Sequence, residues 1–339
     1  MTVENRSLTS ILRPMTADME SAPEIVQPSK YWIDLNRRHA ERMASGIENF
    51  KRTLAKDYFT WMRVLPWDPQ IRYLLAQLPF PAIARAILGT FRPFKHPHIP
   101  VLEGWALNFL TRLVWQYAER VAPKEIAALD EPALGNPPRI IQAGQLISQD
   151  LANSILEFQS FSDVASGAIC ELGGGYGRNA YVTSKLGNPD QYMMVDIAPA
   201  LGLAQLYLTS VFPKKKHFEY RPFTDFDAVR EDLAASDFAY LLPHQLAHLP
   251  NDSVDLFINI SSLHEMRPDQ IAHYIREIRR LVRPGGHFYL KAWKESHIPF
   301  ENIIVREDDY PLGGWRTVYR RTPRIQTAFF ETLLQKRSD

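Results

Sequence analysis

From residue 165 onward, short apolar runs alternate with helical ones. This alternation narrows the folds open to the chain more than any other feature. "GAIC" reads as a strand, "RNAYVTSKL" as a helix ending at Gly187, and "QYMMVDI" as a second strand. "APALGLAQLYLTSVF" is a second helix, with Pro199 in its first turn, where a missing N–H costs nothing. "HFEYRPF", "FAYLLPHQ" and "VDLFINISS" are further strands. "PDQIAHYIREIRRLV" is a helix stopped by Pro284, Gly285 and Gly286, and "HFYLKAW" is the strand after it. "RTVYRR" and "QTAFFETLLQ" are expected to close the sheet as an antiparallel pair. Apolar strands alternating with helices predict a doubly wound, mostly parallel α/β sheet.

Before residue 165 the period is helical. "ENFKRTLAKDYFTWMRVL" and "GWALNFLTRLVWQYAERVA" space aromatics and leucines three or four apart. "RPFKHPHIP" and "EPALGNPPRII" break helix through proline and glycine. "SQDLANSILEFQSF" opens on a serine cap. The expected organisation is a polar, partly disordered lead-in over 1–29, a helical region over 30–164 serving as cap, substrate or dimerisation element, and the α/β domain over 165–339.

With 45% hydrophobic residues in 339, the chain can bury a sizeable core. A formal charge of +1 leaves no global case for nucleic acid, and Lys214-Lys215-Lys216 reads as a solvated loop. The single cysteine, Cys170, rules out an internal disulfide and a cysteine-based zinc cluster, and fits a reducing, cytoplasmic setting. Cys170 itself reads as a core thiol. The N-terminus lacks the basic start and apolar stretch of a signal peptide. No run reaches the about 18 apolar residues that span a bilayer. The nearest, "YLLAQLPFPAIARAILGTF" at 73–91, contains Arg85 and two prolines. It is expected to be a buried or cap element, with an interfacial helix as the alternative. His96 and His98 in "KHPHIP" are spaced like a metal pair but have no carboxylate-rich partner nearby, so no metal is expected.

"ELGGGYG" follows the first strand and precedes its helix. Ligands of doubly wound sheets sit at the strand carboxyl ends, and bare glycines let the backbone approach them. The spacing runs Gly173, Gly175, Gly177, and Arg178 stands where a dinucleotide fingerprint needs its third glycine. No Lys-Ser/Thr follows, so it is not a P-loop. Instead an acid, Glu171, stands two residues before the first glycine, and Asp196 ends the second strand about twenty residues beyond the loop.

E/D-x-G-x-G-x-G after the first strand resembles the first motif of class I S-adenosylmethionine-dependent methyltransferases, a Rossmann-like fold. "LLPHQLAHLPNDSVDLFINISSLHEM" and "IREIRRLVRPGGHFYL" resemble the later strands of that superfamily. "EPALGNP", "GQLISQDLANSILEF", "ELGGGYGR" and "NISSLHEM" together resemble a bacterial sugar O-methyltransferase family. In that family glutamine is at least as frequent as histidine at the place of His264.

The resemblance implies S-adenosylmethionine as cofactor, S-adenosylhomocysteine as product, and a sugar or sugar-like small molecule as acceptor. It implies that Gly173, Gly174, Gly175 and Gly177 wrap the methionine part, that Asp196 and Ile197 meet the ribose, and that His244, Gln245 and Leu246 bound the adenine. Asn259, Ile260 and Ser261 lie at the strand tip beside the cofactor. Glu171 orients the methionine end or fixes the loop backbone. Tyr176 faces the sulfonium or packs in a lid. Arg178 pairs with the cofactor carboxylate, with Glu171, or at the surface. His264 is the candidate general base and Glu265 its orienter or a substrate contact; the alternative is that both line the pocket. Trp315 and Arg316 in "YPLGGWRTVYRR" either contact a substrate ring or pack beside the closing strands. The rival functions are an N- or O-methyltransferase for a lipid, polyketide or peptide intermediate, and a non-catalytic methyltransferase-like binding protein. A homodimer through the helical region is a further expectation.

Overall fold

The computed structural model describes residues 8–44, 47–53, 69–91, 101–298 and 301–338. The chain forms two compact units. One comprises Glu48–Ser162 with Arg324–Thr327; the other comprises Met1–Ile47, Asp163–Pro323 and Ala328–Asp339. The division after Ser162 leaves the first 47 residues with the α/β unit, where the sequence reading places 30–47 in the helical region.

The helical unit is built on the Val101–Val121 helix, which packs on the Gln149–Phe161 helix and on the Phe80–Thr90 helix. Leu110, Leu113, Val114 and Ala118 are fully buried along its length. Ser148 caps the Gln149–Phe161 helix, its hydroxyl accepting the Leu151 N–H at 2.9 Å. A short hairpin, β1 (Ile140–Gln142) and β2 (Gln145–Ile147), was not legible in the sequence. Glu131 is buried, paired with Lys51 and accepting the Ser148 hydroxyl at 2.5 Å.

Segment 73–91, expected as a buried or cap element, is buried along one side only. It forms two helices, Pro69–Gln77 and Phe80–Thr90. In the second, only Ala82, Ala86, Gly89 and Thr90 are buried, and the large apolar side chains point outward. The helix turns its small residues inward because a close helix neighbour leaves no room for larger ones. The expected helix beyond Thr53 and the pair His96 and His98 lie outside the described residues.

The α/β unit holds an eight-stranded sheet of β3 (Ala168–Leu172), β4 (Gln191–Val195), β5 (His217–Phe218), β6 (Phe238–Leu241), β7 (Val254–Ile260), β8 (Val282–Trp293), β11 (Trp315–Arg321) and β12 (Phe329–Lys336). A separate hairpin joins β9 (Glu295–Ile298) to β10 (Ile303–Arg306). The sheet order is β11-β12-β8-β7-β3-β4-β6-β5. All pairings are parallel except those of β12 with β8 and β11. This is the class I methyltransferase fold. The third expected strand shrinks to two residues at the sheet edge, and "RTVYRR" and "QTAFFETLLQ" close the sheet as the expected antiparallel pair. Ile169, Cys170, Met194, Val195, Phe257 and Ile258 have essentially no solvent exposure. Each such large apolar side chain contributes about 1.5–3 kcal/mol by leaving water. Cys170 is buried, which raises its thiol well above the ordinary range and leaves it an inert core residue.

The lead-in is helical over Leu8–Ser21, where the sequence reading expected partial disorder. Its Leu8, Met15 and Met19 are buried, and Leu8 and Leu12 lie over Gly202 of the Ala198–Val211 helix. Three large apolar residues at helical spacing were hidden among polar neighbours. Gln270, at the start of the Pro268–Leu281 helix, then donates to the carbonyls of Ile25 and Gln27. No helix among the described residues is long and apolar enough to cross a membrane.

Candidate active site

β3 has β4 on one side and β7 on the other, so the strand order reverses there. Ligands of such sheets bind in the crevice outside the carboxyl ends at that reversal. Three chain segments meet at it. The loop Gly173–Gly177 leaves β3, Asp196 ends β4, and Ser261–Glu265 leaves β7.

The glycines answer to geometry. Gly173 has φ +77°, and a Cβ there would lie 2.3 Å from both Cβ and Oγ of Ser262. Its N–H donates to the Val195 carbonyl at 2.8 Å. A Cβ on Gly174 would meet Met194 at 2.4 Å and the Glu171 carboxylate at 2.8 Å. The loop is therefore pressed between the ends of β4 and β7 with no room for a side chain, and only Gly173 and Gly175 keep partial exposure on the crevice side. Gly173→Ala should cost about 1–3 kcal/mol from the left-handed backbone alone. Thermal melting should show the loss, and cofactor binding should fall with it. A variant as stable as wild type with intact binding would contradict this reading of the loop.

Asp196 is half-buried at its strand tip. Its Oδ2 accepts the Gly175 N–H at 2.8 Å and its Oδ1 accepts the Ile197 N–H at 2.7 Å. Each carboxylate oxygen retains a further lone pair for a ligand hydroxyl. Desolvation outweighs the two backbone donors, which lower the pKa, and pushes the group up to about 7. Glu171 is fully buried, accepting Tyr192 O–H at 2.8 Å and Asn179 Nδ2–H at 3.0 Å. Tyr192 sits on β4, so this acid ties the base of the loop to the neighbouring strand.

The turn after β7 carries the other polar groups. Ser261 has φ +57°, an uncommon conformation for a residue with a side chain. Asn259 donates to the Leu172 carbonyl at 2.9 Å and accepts the Leu263 N–H at 3.2 Å, lacing this turn to β3. His264 is buried against the edges of Trp293 and Phe329, with ring centroids at 6.4 and 6.1 Å. Burial pushes its imidazole down to about 3. Glu265 follows, with Oε1 3.8 Å from His264 Nε2. Its side chain keeps 30% of its surface open against 4% for His264. Desolvation of the carboxyl end and the charge of Asp196 push Glu265 up to about 8, although the Trp32 bond lowers it. That bond runs from the Trp32 indole Nε1–H to Glu265 Oε2 at 3.0 Å.

The remaining residues named from the sequence divide in two. Gln245 accepts the Leu242 N–H of its own turn and donates to the Arg221 carbonyl of the segment after β5, so both ends of its amide are bonded within the protein. Leu246 and Ile260 are buried, and Tyr176 is buried edge-on against Tyr207 at 5.3 Å. Ile197 and Arg178 are half-buried at the first turns of their helices. His244 reaches Asp18 of the Leu8–Ser21 helix at 3.2 Å, and Tyr220 O–H donates to the same carboxylate at 2.5 Å. Trp315 lies at the start of β11, tilted against the Phe288 ring at 5.8 Å, a packing position, and Arg316 donates to Gln335. Sequence reasoning missed Trp32, Asp18, Tyr192 and Ser262. Ser262 alone carried a signal, its place in "NISSLHEM". Among the described residues no group of three or more His, Cys, Asp or Glu could hold a metal.

Residues 170–290, from β3 into β8, match the family model described as a methyltransferase domain. Solved structures that resemble the fold include an S-adenosylmethionine-dependent methyltransferase from Aquifex aeolicus. It is 13% identical, the alignment covers 53% of this chain and 87% of that one, and the TM-score is 0.37. Another, from Leishmania major, is 13% identical over 56% of this chain and 74% of that one, with a TM-score of 0.40. The magnesium protoporphyrin IX methyltransferase of Synechocystis, solved with bound cofactor, is 14% identical over 54% of this chain and 77% of that one, at 0.37. Likenesses this low carry no argument about activity or substrate.

The family match and the crevice agree. The protein is an S-adenosylmethionine-dependent methyltransferase. A glycine loop with no space for a Cβ beside Ser262 and Met194, and the half-open carboxylate of Asp196, fit that cofactor's amino-acid and ribose parts. Desolvation raises the proton affinity of both Asp196 and Glu265.

Proposed function

We propose that the enzyme methylates a hydroxyl oxygen of a sugar or sugar-like natural product, with Glu265 taking the hydroxyl proton. When bound, the cofactor supplies an electrophilic methyl group on a sulfonium. The protein then has to align the acceptor, exclude water and remove a proton. The observation that carries this reading is the half-buried side chain of Glu265 in the turn after β7, fixed by the Trp32 indole and set beside His264.

A general base works best with a pKa near the operating pH. Glu265 at about 8 meets that condition; His264 at about 3 is neutral but a weak base. His264 therefore serves as a neutral wall beside the carboxyl and Glu265 as the proton acceptor. Half-buried indoles at Trp32 and Trp293 on either side of the pair support an acceptor with an apolar ring face and hydroxyl edges. The sugar class rests on the sequence resemblance and on this pairing of indole with carboxyl. Its test is formation of S-adenosylhomocysteine with a panel of sugars and glycosylated acceptors. Turnover confined to amines or to non-glycosylated lipids would replace the reading.

Trp32 is a positioning residue in this scheme. Its N–H favours the ionised carboxylate, so Trp32→Phe should raise the Glu265 pKa. The acid limb of the kcat/KM profile should move upward from about 8, with cofactor affinity near wild type. A limb that stays in place while kcat falls would make Trp32 a packing residue only.

A further inference from the structure

The helical unit carries an apolar face that nothing in the methyl-transfer chemistry uses. On the Phe80–Thr90 helix and the residue after it, Phe80, Ile87, Leu88 and Phe91 are exposed. Their spacing of 7, 8 and 11 residues from Phe80 puts them on one side of a helix. The first turns of the Val101–Val121 helix add Val101, Leu102 and Trp105, also exposed. Phe80 is 80% and Leu102 79% open to solvent. The Phe91 and Trp105 rings meet edge to face at 6.1 Å, so the two helices present one continuous surface. Soluble chains seldom expose large apolar groups side by side in this way, and a patch of this kind marks an interaction site.

The charges around it select the partner. From Pro69 to Leu102 the sequence contains Arg72, Arg85, Arg92 and Lys95 and no aspartate or glutamate. The chain as a whole is nearly balanced, with 39 basic and 38 acidic residues, so this stretch is a local exception. Arg72 and Arg85 are exposed. Asp68 and Glu103 bound this stretch, and Glu103 is the one acid in the first turn of the Val101–Val121 helix. A largely apolar face with an excess of basic over acidic residues is the mark of a helix that lies in a membrane interface. Each basic group near an anionic leaflet adds about 1 kcal/mol of attraction, and the apolar face adds its burial among the acyl chains.

We propose that the outward face of the Phe80–Thr90 helix and the first turns of the Val101–Val121 helix dock on an anionic lipid bilayer surface. The protein lies on the membrane without spanning it. This is independent of the acceptor assigned above: a soluble sugar and a lipid-borne one are both compatible with docking.

Flotation of the full-length protein with vesicles tests it. One set is pure phosphatidylcholine and the other contains equal parts phosphatidylcholine and phosphatidylglycerol. The protein should float with the phosphatidylglycerol vesicles, less so with the neutral ones, and less at raised salt. Leu88→Asp and Phe91→Asp should each weaken partitioning roughly tenfold or more. Their melting temperatures should stay at the wild-type value, because both side chains are exposed. Arg85→Glu should remove most of the preference for anionic vesicles. Wild-type protein that fails to float, variants that float like wild type, or equal binding to both vesicle types would each overturn the proposal. Light scattering covers the other occupant. A wild-type dimer that Leu88→Asp converts to monomer, with no flotation, would assign the face to a second copy of this chain and overturn membrane docking.

Discussion

Glu265→Gln should lower kcat by about 10²–10⁴-fold, the range expected when a positioned general base is removed. Cofactor affinity should stay near wild type, because the hydrogen bond that holds the Glu265 side chain comes from Trp32 and not from the glycine loop. The pH dependence gives the sharper reading. The carboxyl is a base only when ionised, and desolvation together with the Asp196 charge raises it from 4.5 to about 8. The wild-type kcat/KM should therefore climb as pH rises through about 8, well above the usual carboxylate range. The glutamine variant should show no such limb. His264→Ala should keep it, because burial holds that imidazole neutral across the working range. Most of the activity surviving in Glu265→Gln, or the limb disappearing only in His264→Ala, would return the role of base to His264.

Asp196→Ala should weaken binding of S-adenosylmethionine and S-adenosylhomocysteine by roughly 10²-fold. Hydrogen bonds to a charged group are worth about 1.5–3 kcal/mol each, and the carboxylate is placed to accept more than one. The variant also loses the bonds from the Gly175 and Ile197 N–H groups, so the loop loses its fastening to β4. Asp196→Asn separates these effects. An amide keeps the shape but turns one acceptor into a donor, which would face one of those N–H groups. It should be impaired nearly as much as the alanine. Calorimetric titration with S-adenosylhomocysteine measures both. Burial sets Asp196 at about 7, so wild-type affinity should rise as pH increases through that value and the carboxylate ionises. Unchanged affinity in Asp196→Ala would remove the ribose assignment.

The same site shows how far a linear reading reaches. Glu171, the glycines and Asp196 are near one another in sequence, and each follows an apolar strand of readable length. Local pattern placed them at the carboxyl ends of adjacent strands, and that is where they lie. The roles within the group were less legible. Glu171 and Asn259 are acceptors and donors that bind other parts of the protein, and nothing in a sequence tells a buried carboxylate from one that faces a ligand. His264 illustrates the limit most clearly. Its residue type and position suited a base, while burial against Trp293 and Phe329, which no local pattern reveals, lowers its proton affinity.

By itself, the sequence determined the alternation of strands and helices, the closing antiparallel pair and the cofactor class. The first two follow from side-chain periodicity, which acts over a few residues; the cofactor class follows from the resemblance of the glycine-loop motif to that of class I methyltransferases. The tertiary structure decided what depends on contacts across hundreds of residues. Trp32 meets Glu265 across 233 positions, and Asp18 meets Tyr220 across 202. It also decided that the large apolar residues of Phe80–Thr90 face outward, since the helical period defines a stripe but not which side of it finds a neighbour. Burial and pairing set proton affinity, and both arise only when distant segments come together.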